Sequence, residues 1–147
     1  MVRMALTPST MLPLGTPLPE FALTDTVSGQ TIGHTHQAGA PGLLVAFICN
    51  HCPYVVHIRE ELARLGRHCA ELDLPMIAIS ANDPVSHPAD HPDRMAEQAR
   101  AQSYVFPYLF DASQAVARSF QAACTPEFYL FDGARKLFYR GQLDDSR

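Results

Sequence analysis

Apolar positions along the chain fall into two patterns, unbroken short runs and a stripe that recurs every three or four residues. Leu43-Leu44-Val45-Ala46-Phe47-Ile48 is continuous and of strand length, the signature of a central strand covered on both faces. Met76-Ile77-Ala78-Ile79, after Pro75, is a second such run. Between them Ile58, Leu62, Leu65, Cys69 and Leu72 recur at alternating steps of four and three, with Arg59, Glu60, Arg64 and Arg67 largely off that line. This predicts an amphipathic helix. Pro53 suits its first turn, where a missing N–H costs nothing. Strand, helix and strand in this order predict a right-handed βαβ unit.

The flanking segments read more weakly. Phe21 to Thr24 and Gln30 to Ile32, around the turn-rich Asp25-Thr26-Val27-Ser28-Gly29, form a candidate hairpin. Asn82 to Pro92 is polar and proline-rich and reads as a solvated loop, and Asp93 to Ser103 as a helix carrying Met95 and Ala99. Asp111 is placed to N-cap a short helix from Ala112 to Phe120. Glu127 to Phe131 and Lys136 to Arg140 flank Asp132-Gly133-Ala134-Arg135 as a second hairpin. Tyr104, Phe106, Tyr108 and Phe110 alternate; they read as packing, with no strand assigned. Residues 1–19, with Pro8, Pro13, Pro17 and Pro19, read as an extended arm, and residues 20–147 as one α/β domain of order β-α-β, a helical middle and β-β.

Composition narrows the class. A chain of 147 residues holds one core of ordinary size, and 47% hydrophobic against 18% charged residues belongs to a compact protein rather than a disordered one. A net charge of -4 leaves no basic footprint for nucleic acid. No apolar run reaches the length of a membrane span, and the opening residues lack a signal-like stretch. A cytoplasmic location is expected, or a periplasmic one if a leader was removed. In a reducing compartment, closely spaced cysteines are more often catalytic or metal-binding than structural.

The spacing then carries the chemistry. Cys49-Asn50-His51-Cys52-Pro53 stands where the first buried strand gives way to the helix. There, unpaired N–H groups and the helix dipole favour an anion. Thiolate is the nucleophile, so this placement activates Cys49, while Cys52, one turn in, is set to attack a mixed disulfide on it. A zinc half-site uses the same spacing, but no second C-x-x-C or histidine pair with suitable spacing accompanies it. Thr125-Pro126, just before a strand, supplies a candidate cis-proline.

These residues resemble a family. Phe47 to Pro53, with Thr125-Pro126 some seventy residues on, is similar to the thioredoxin-like superfamily, and more narrowly to a bacterial branch grouped with AhpC/TSA and TlpA/ResA-type thiol–disulfide oxidoreductases. The resemblance runs from about Gly15 to Arg147, including Tyr139-Arg140-Gly141-Gln142-Leu143-Asp144-Asp145-Ser146-Arg147. It implies a thioredoxin-like fold, a central mixed β-sheet flanked by helices, with Cys49 as nucleophile and Cys52 as resolving thiol. It also implies that Pro126 faces the dithiol and that the Thr125 backbone pairs with an extended substrate. The implied partners are protein thiols or disulfides and a reductant, with no cofactor and no metal. Ile48 and Leu43 stand where thioredoxin has a tryptophan and a buried aspartate. Aligning Cys52 with the reactive cysteine of peroxiredoxins puts Cys49 at their Thr/Ser position and Val45 at their proline.

Members of this branch continue into a last helix over one sheet face; this chain ends before it, so either it is a fragment or a partner covers that face. Weak stability or self-association through the uncovered face is expected. His51, between the cysteines, would stabilise the Cys49 thiolate and make the couple more oxidising than thioredoxin's, or else be solvated. Cys124, two residues before Pro126, is an accessory thiol, a metal ligand or a small residue at a tight turn. Cys69 reads as core. His87 and His91, with Asp83, Asp90 and Asp93, read as a solvated loop rather than a metal site, as do His34 and His36. Two functions compete with disulfide exchange: a peroxiredoxin-like thiol peroxidase, and a metal-binding or redox-sensing module using Cys49, Cys52 and Cys124.

Overall fold

The computed structural model describes residues 12–50, 59–82, 85–122 and 126–141. Among these, the strands are β1 (Ala22–Asp25), β2 (Thr31–Gly33), β3 (Gly42–Phe47), β4 (Met76–Ser80), β5 (Tyr108–Phe110), β6 (Glu127–Asp132) and β7 (Leu137–Gly141). The helices are α1 (Arg59–Glu71), α2 (Pro92–Ala101) and α3 (Ala115–Ser119), with a 3-10 turn at Pro88–Asp90. The strands form one sheet in the order β2-β1-β5-β4-β3-β6-β7. β3, β4 and β5 run parallel, and β6 returns antiparallel to β3. This is the mixed sheet flanked by helices that the resemblance implies.

The two predicted buried runs form the centre of the sheet, and every residue of β3 and β4 is buried. Their alternation divides the core in two. Leu44, Ala46, Ile48 and Ala78 face α1 and α2, against Leu62, Cys69, Met95 and Ala99. Leu43, Val45, Phe47, Ile77 and Ile79 face the other way, against Val116 and Phe120 of the α3 region and against Leu12 and Phe21. Residues before β1 run beside β7: Gly15 donates to Leu137 O at 2.7 Å and Leu137 donates to Thr16 O at 2.8 Å. Among the described residues no helix is long and apolar enough to cross a membrane.

Tyr104, Phe106, Tyr108 and Phe110 pack in the core as read, and Tyr108–Phe110 also forms a strand, β5, where none was assigned; two other expectations change. Three residues between Pro107 and Asp111 are too short to show a period; the strand exists because β4 offers it a parallel ladder on one side and β1 an antiparallel one on the other. Helix α1 ends at Glu71, Asp73 turns through a left-handed φ of 55°, and Leu72 is thrown outward, 58% exposed. The buried stripe instead runs through Leu62, Gly66 and Cys69. Finally, α3 begins at Ala115 rather than Ala112, with Gln114 as its N-cap at φ 66°. Asp111 still serves that helix, accepting the Ala117 N–H at 2.9 Å from one turn upstream.

Gly66 is where α1 approaches the chain entering β5. A Cβ there would lie 2.6 and 2.9 Å from the Phe106 ring, which is itself stacked on Tyr104 at 4.7 Å. Gly66→Ala gains about 1 kcal/mol of helix propensity but forces the ring aside, a cost of about 1–3 kcal/mol. A net loss of about 1 kcal/mol is expected in urea unfolding; a gain in stability would show that the ring yields freely.

Candidate active site

The parallel strands end together, and the site sits beyond their carboxyl ends, where α/β sheets place their ligands. β3 delivers Cys49, 1% exposed, and Asn50, 8% exposed. The register pairs Phe47 with Glu127, so Pro126, which is buried, lies one residue further along, level with Ile48 and beside the approach to Cys49. His51, Cys52, Pro53, Cys124 and Thr125 lie outside the described residues.

Asn50, which the sequence reading passed over, is held at three points. Its backbone N–H donates to Asp90 Oδ1 at 2.7 Å, its Nδ2 donates to Arg94 O at 3.0 Å, and its Oδ1 accepts from the Tyr108 hydroxyl at 3.0 Å. The partners come from the 3-10 turn, α2 and β5, elements far apart in sequence. Asp90 also accepts from Asn82 Nδ2 at 3.1 Å. Tyr108 is anchored in turn: its N–H donates to Asp25 Oδ1 at 3.1 Å, and its carbonyl accepts from the N–H and hydroxyl of Thr26.

Asp90 corrects the solvated-loop expectation, because it is 0% exposed. Pro88 opens a tight 3-10 turn that folds the carboxylate inward, and the only sequence trace of this is proline at 88 and again at 92. Burial pushes the Tyr108 phenol well above its ordinary value; the charges that Tyr104, Cys49 and Asp90 carry when ionised push the same way, against Arg59. Tyr108 therefore stays protonated and donates to Asn50. Beside Asn50 opens a groove of about 550 Å³ bordered by Arg59, Arg94, Glu97 and Gln98.

The remaining candidates are dispersed. His91 caps α2, its Nδ1 accepting the Asp93 N–H at 3.1 Å. The His34 ring meets Phe21 edge-on at 6.3 Å on the first hairpin, and burial followed by the charge of Arg135 lowers His36. Among the described residues no three His, Cys, Asp or Glu side chains are grouped as metal ligands. Cys69 is core, 3% exposed, and burial pushes its thiol up. It is expected to resist iodoacetamide at neutral pH in the native protein and to label only on unfolding; rapid native labelling would contradict its burial.

No curated protein matches the sequence significantly. Among solved structures, an uncharacterized conserved protein from Geobacillus kaustophilus is 44% identical, with a TM-score of 0.89, covering 93% of this chain and 72% of its own. A hypothetical protein from Sinorhizobium meliloti is also 44% identical, with a TM-score of 0.88 and coverages of 92% and 74%. The thioredoxin domain of a thiol-disulfide oxidoreductase from Bacteroides vulgatus shares the fold at a TM-score of 0.74 and 13% identity, covering 91% of both chains. Residues 14–140 match the AhpC/TSA family. With a thioredoxin-like sheet, a cysteine at its carboxyl edge and a family match over most of its length, the chain belongs to the AhpC/TSA family.

Proposed function

We propose that the protein is a thiol–disulfide oxidoreductase working through Cys49 and Cys52. The supporting observation is the placement of Cys49 at the carboxyl end of the central strand, with Pro126 arriving alongside it on the antiparallel neighbour. In this reading the Cys49 thiolate attacks one sulfur of a substrate disulfide, and the other sulfur leaves as a thiolate that takes a proton. Cys52 then attacks the Cys49 sulfur and expels the second substrate thiol. The substrate gains two electrons and two protons, the protein is left with a Cys49–Cys52 disulfide, and a dithiol reductant resets it. Protein thiols or disulfides are the proposed substrates, with the Thr125 backbone pairing to an extended segment.

The testing experiment is equilibration of the intact protein in glutathione or dithiothreitol buffers with mass-spectrometric thiol counting. A reversible two-electron transition confined to Cys49 and Cys52 is the expected result. No such couple, together with consumption of hydrogen peroxide that depends on one thiol, would replace this reading with that of a thiol peroxidase. Zinc that protects the thiols from alkylation would point to a metal-binding module.

A further inference from the structure

The carboxylate closest in sequence logic to a redox cysteine is missing here, since Leu43 stands where a buried acid would precede Cys49 by six residues. The tertiary structure brings a different one. Asp90 is fully buried, yet it belongs to a turn 41 residues after Cys49, and it binds the N–H of the very next residue, Asn50, at 2.7 Å. Both its oxygens are used, one by Asn50 and the other by Asn82. Asn50 needs no charged partner to stay in place, because Tyr108 and the Arg94 carbonyl already hold its side chain.

We propose that Asp90 is a positioning residue for the dithiol whose negative charge opposes the Cys49 thiolate and makes the couple more reducing. The inference rests on the Cys49–Cys52 reading above. Two physical effects act in one direction. An N–H following a reactive cysteine is a donor that can help hold a thiolate, and here that donor is committed to Asp90. A second negative charge sharing a water-poor site raises the free energy of the thiolate, and with it that of the reduced protein. Tyr108 joins the two groups through Asn50, whose Oδ1 accepts its hydroxyl at 3.0 Å while the Asn50 N–H binds Asp90 at 2.7 Å. Among the described residues, the cations lining the groove beside Asn50 are Arg59, which opposes Cys49 and Asp90 at Tyr108, and Arg94, an exposed residue whose guanidinium pairs with Glu97 at 3.2 Å. His87 and His91 flank the turn itself.

The test is Asp90→Asn, which keeps the shape and the acceptor for the Asn50 N–H while the Asn82 amide turns over to accept. The equilibrium with glutathione is expected to shift about tenfold toward the reduced protein, which for a two-electron couple is about 30 mV less reducing. Tyr108→Phe is the control for a merely structural role: it loses the clamp on Asn50 but not the charge, so it should lower the melting temperature and leave the potential within about threefold. A folded Asp90→Asn protein with an unmoved potential overturns the inference, as does a Tyr108→Phe shift as large as that of Asp90→Asn. If Asp90→Asn does not fold, the wild-type protein decides: the carbon-13 resonance of the Asp90 carboxyl should move on reduction of the dithiol, and a resonance indifferent to redox state overturns the inference. Absence of any Cys49–Cys52 couple is a separate result, which removes the underlying reading instead.

Discussion

Cys49→Ser is expected to reduce disulfide exchange to the uncatalysed background, while Cys52→Ser keeps the first step and accumulates mixed disulfides. The asymmetry follows from the order of attack in the proposed mechanism. A serine hydroxyl at position 49 cannot form the mixed disulfide, so nothing downstream proceeds. A serine at 52 leaves the nucleophile intact and removes only the thiol that releases it. Insulin-disulfide reduction and mass spectrometry of trapped adducts read the two outcomes separately. The substitution at 49 exchanges one small buried side chain for another, so loss of activity should come with an intact far-ultraviolet spectrum. Full activity in Cys49→Ser would reverse the assignment of roles.

Phe120→Ala should be the most damaging single change to the core. Phe120 is fully buried below the sheet, with ring centroids at 5.1 Å from Phe47, 5.3 Å from Tyr129, 6.0 Å from Phe131 and 6.3 Å from Phe21. Truncation of a buried phenylalanine costs about 3–5 kcal/mol in transfer and cavity terms, and several of its edge-to-face contacts would go with it. Against a total of about 5–15 kcal/mol for an ordinary domain, that leaves a marginal fold. The melting temperature should drop by about 10 °C or more. A loss below about 1 kcal/mol in denaturant titration would mean that the helix and arm on that side close over the gap, and that the aromatic cluster is not the keystone of this face.

Both expectations draw on residues whose importance was visible at different levels. Strand β3, strand β4 and the helix between them are legible in one dimension because unbroken apolar runs and a stripe at helical spacing admit few other structures. The second hairpin is equally local, since Asp132 to Arg135 forms the turn within a few residues, with Asp132 Oδ1 accepting the N–H groups of Ala134 and Lys136 at 3.0 Å. The same local logic misled at Leu72. It fits the stripe by spacing, but the left-handed turn at Asp73 ends the helix first.

The surroundings of Cys49 and Asn50 were not legible in this way. Asp90 in a proline-rich, polar stretch has every mark of a solvated residue; its burial depends on the 3-10 turn being pressed against the end of β3. Tyr108 belongs to a three-residue strand that has no detectable period and forms because β1 and β4 lie on either side of it. The sequence by itself determined the α/β class, the central pair of strands, the helix between them and the place of Cys49 just after the first of those strands, because each is set by contacts among near neighbours. Only the tertiary structure decided which carboxylate binds the N–H that follows Cys49 and what holds the Asn50 side chain, because those groups meet across 40 to 58 residues of chain, and a buried hydrogen bond between distant segments leaves no pattern in either one alone.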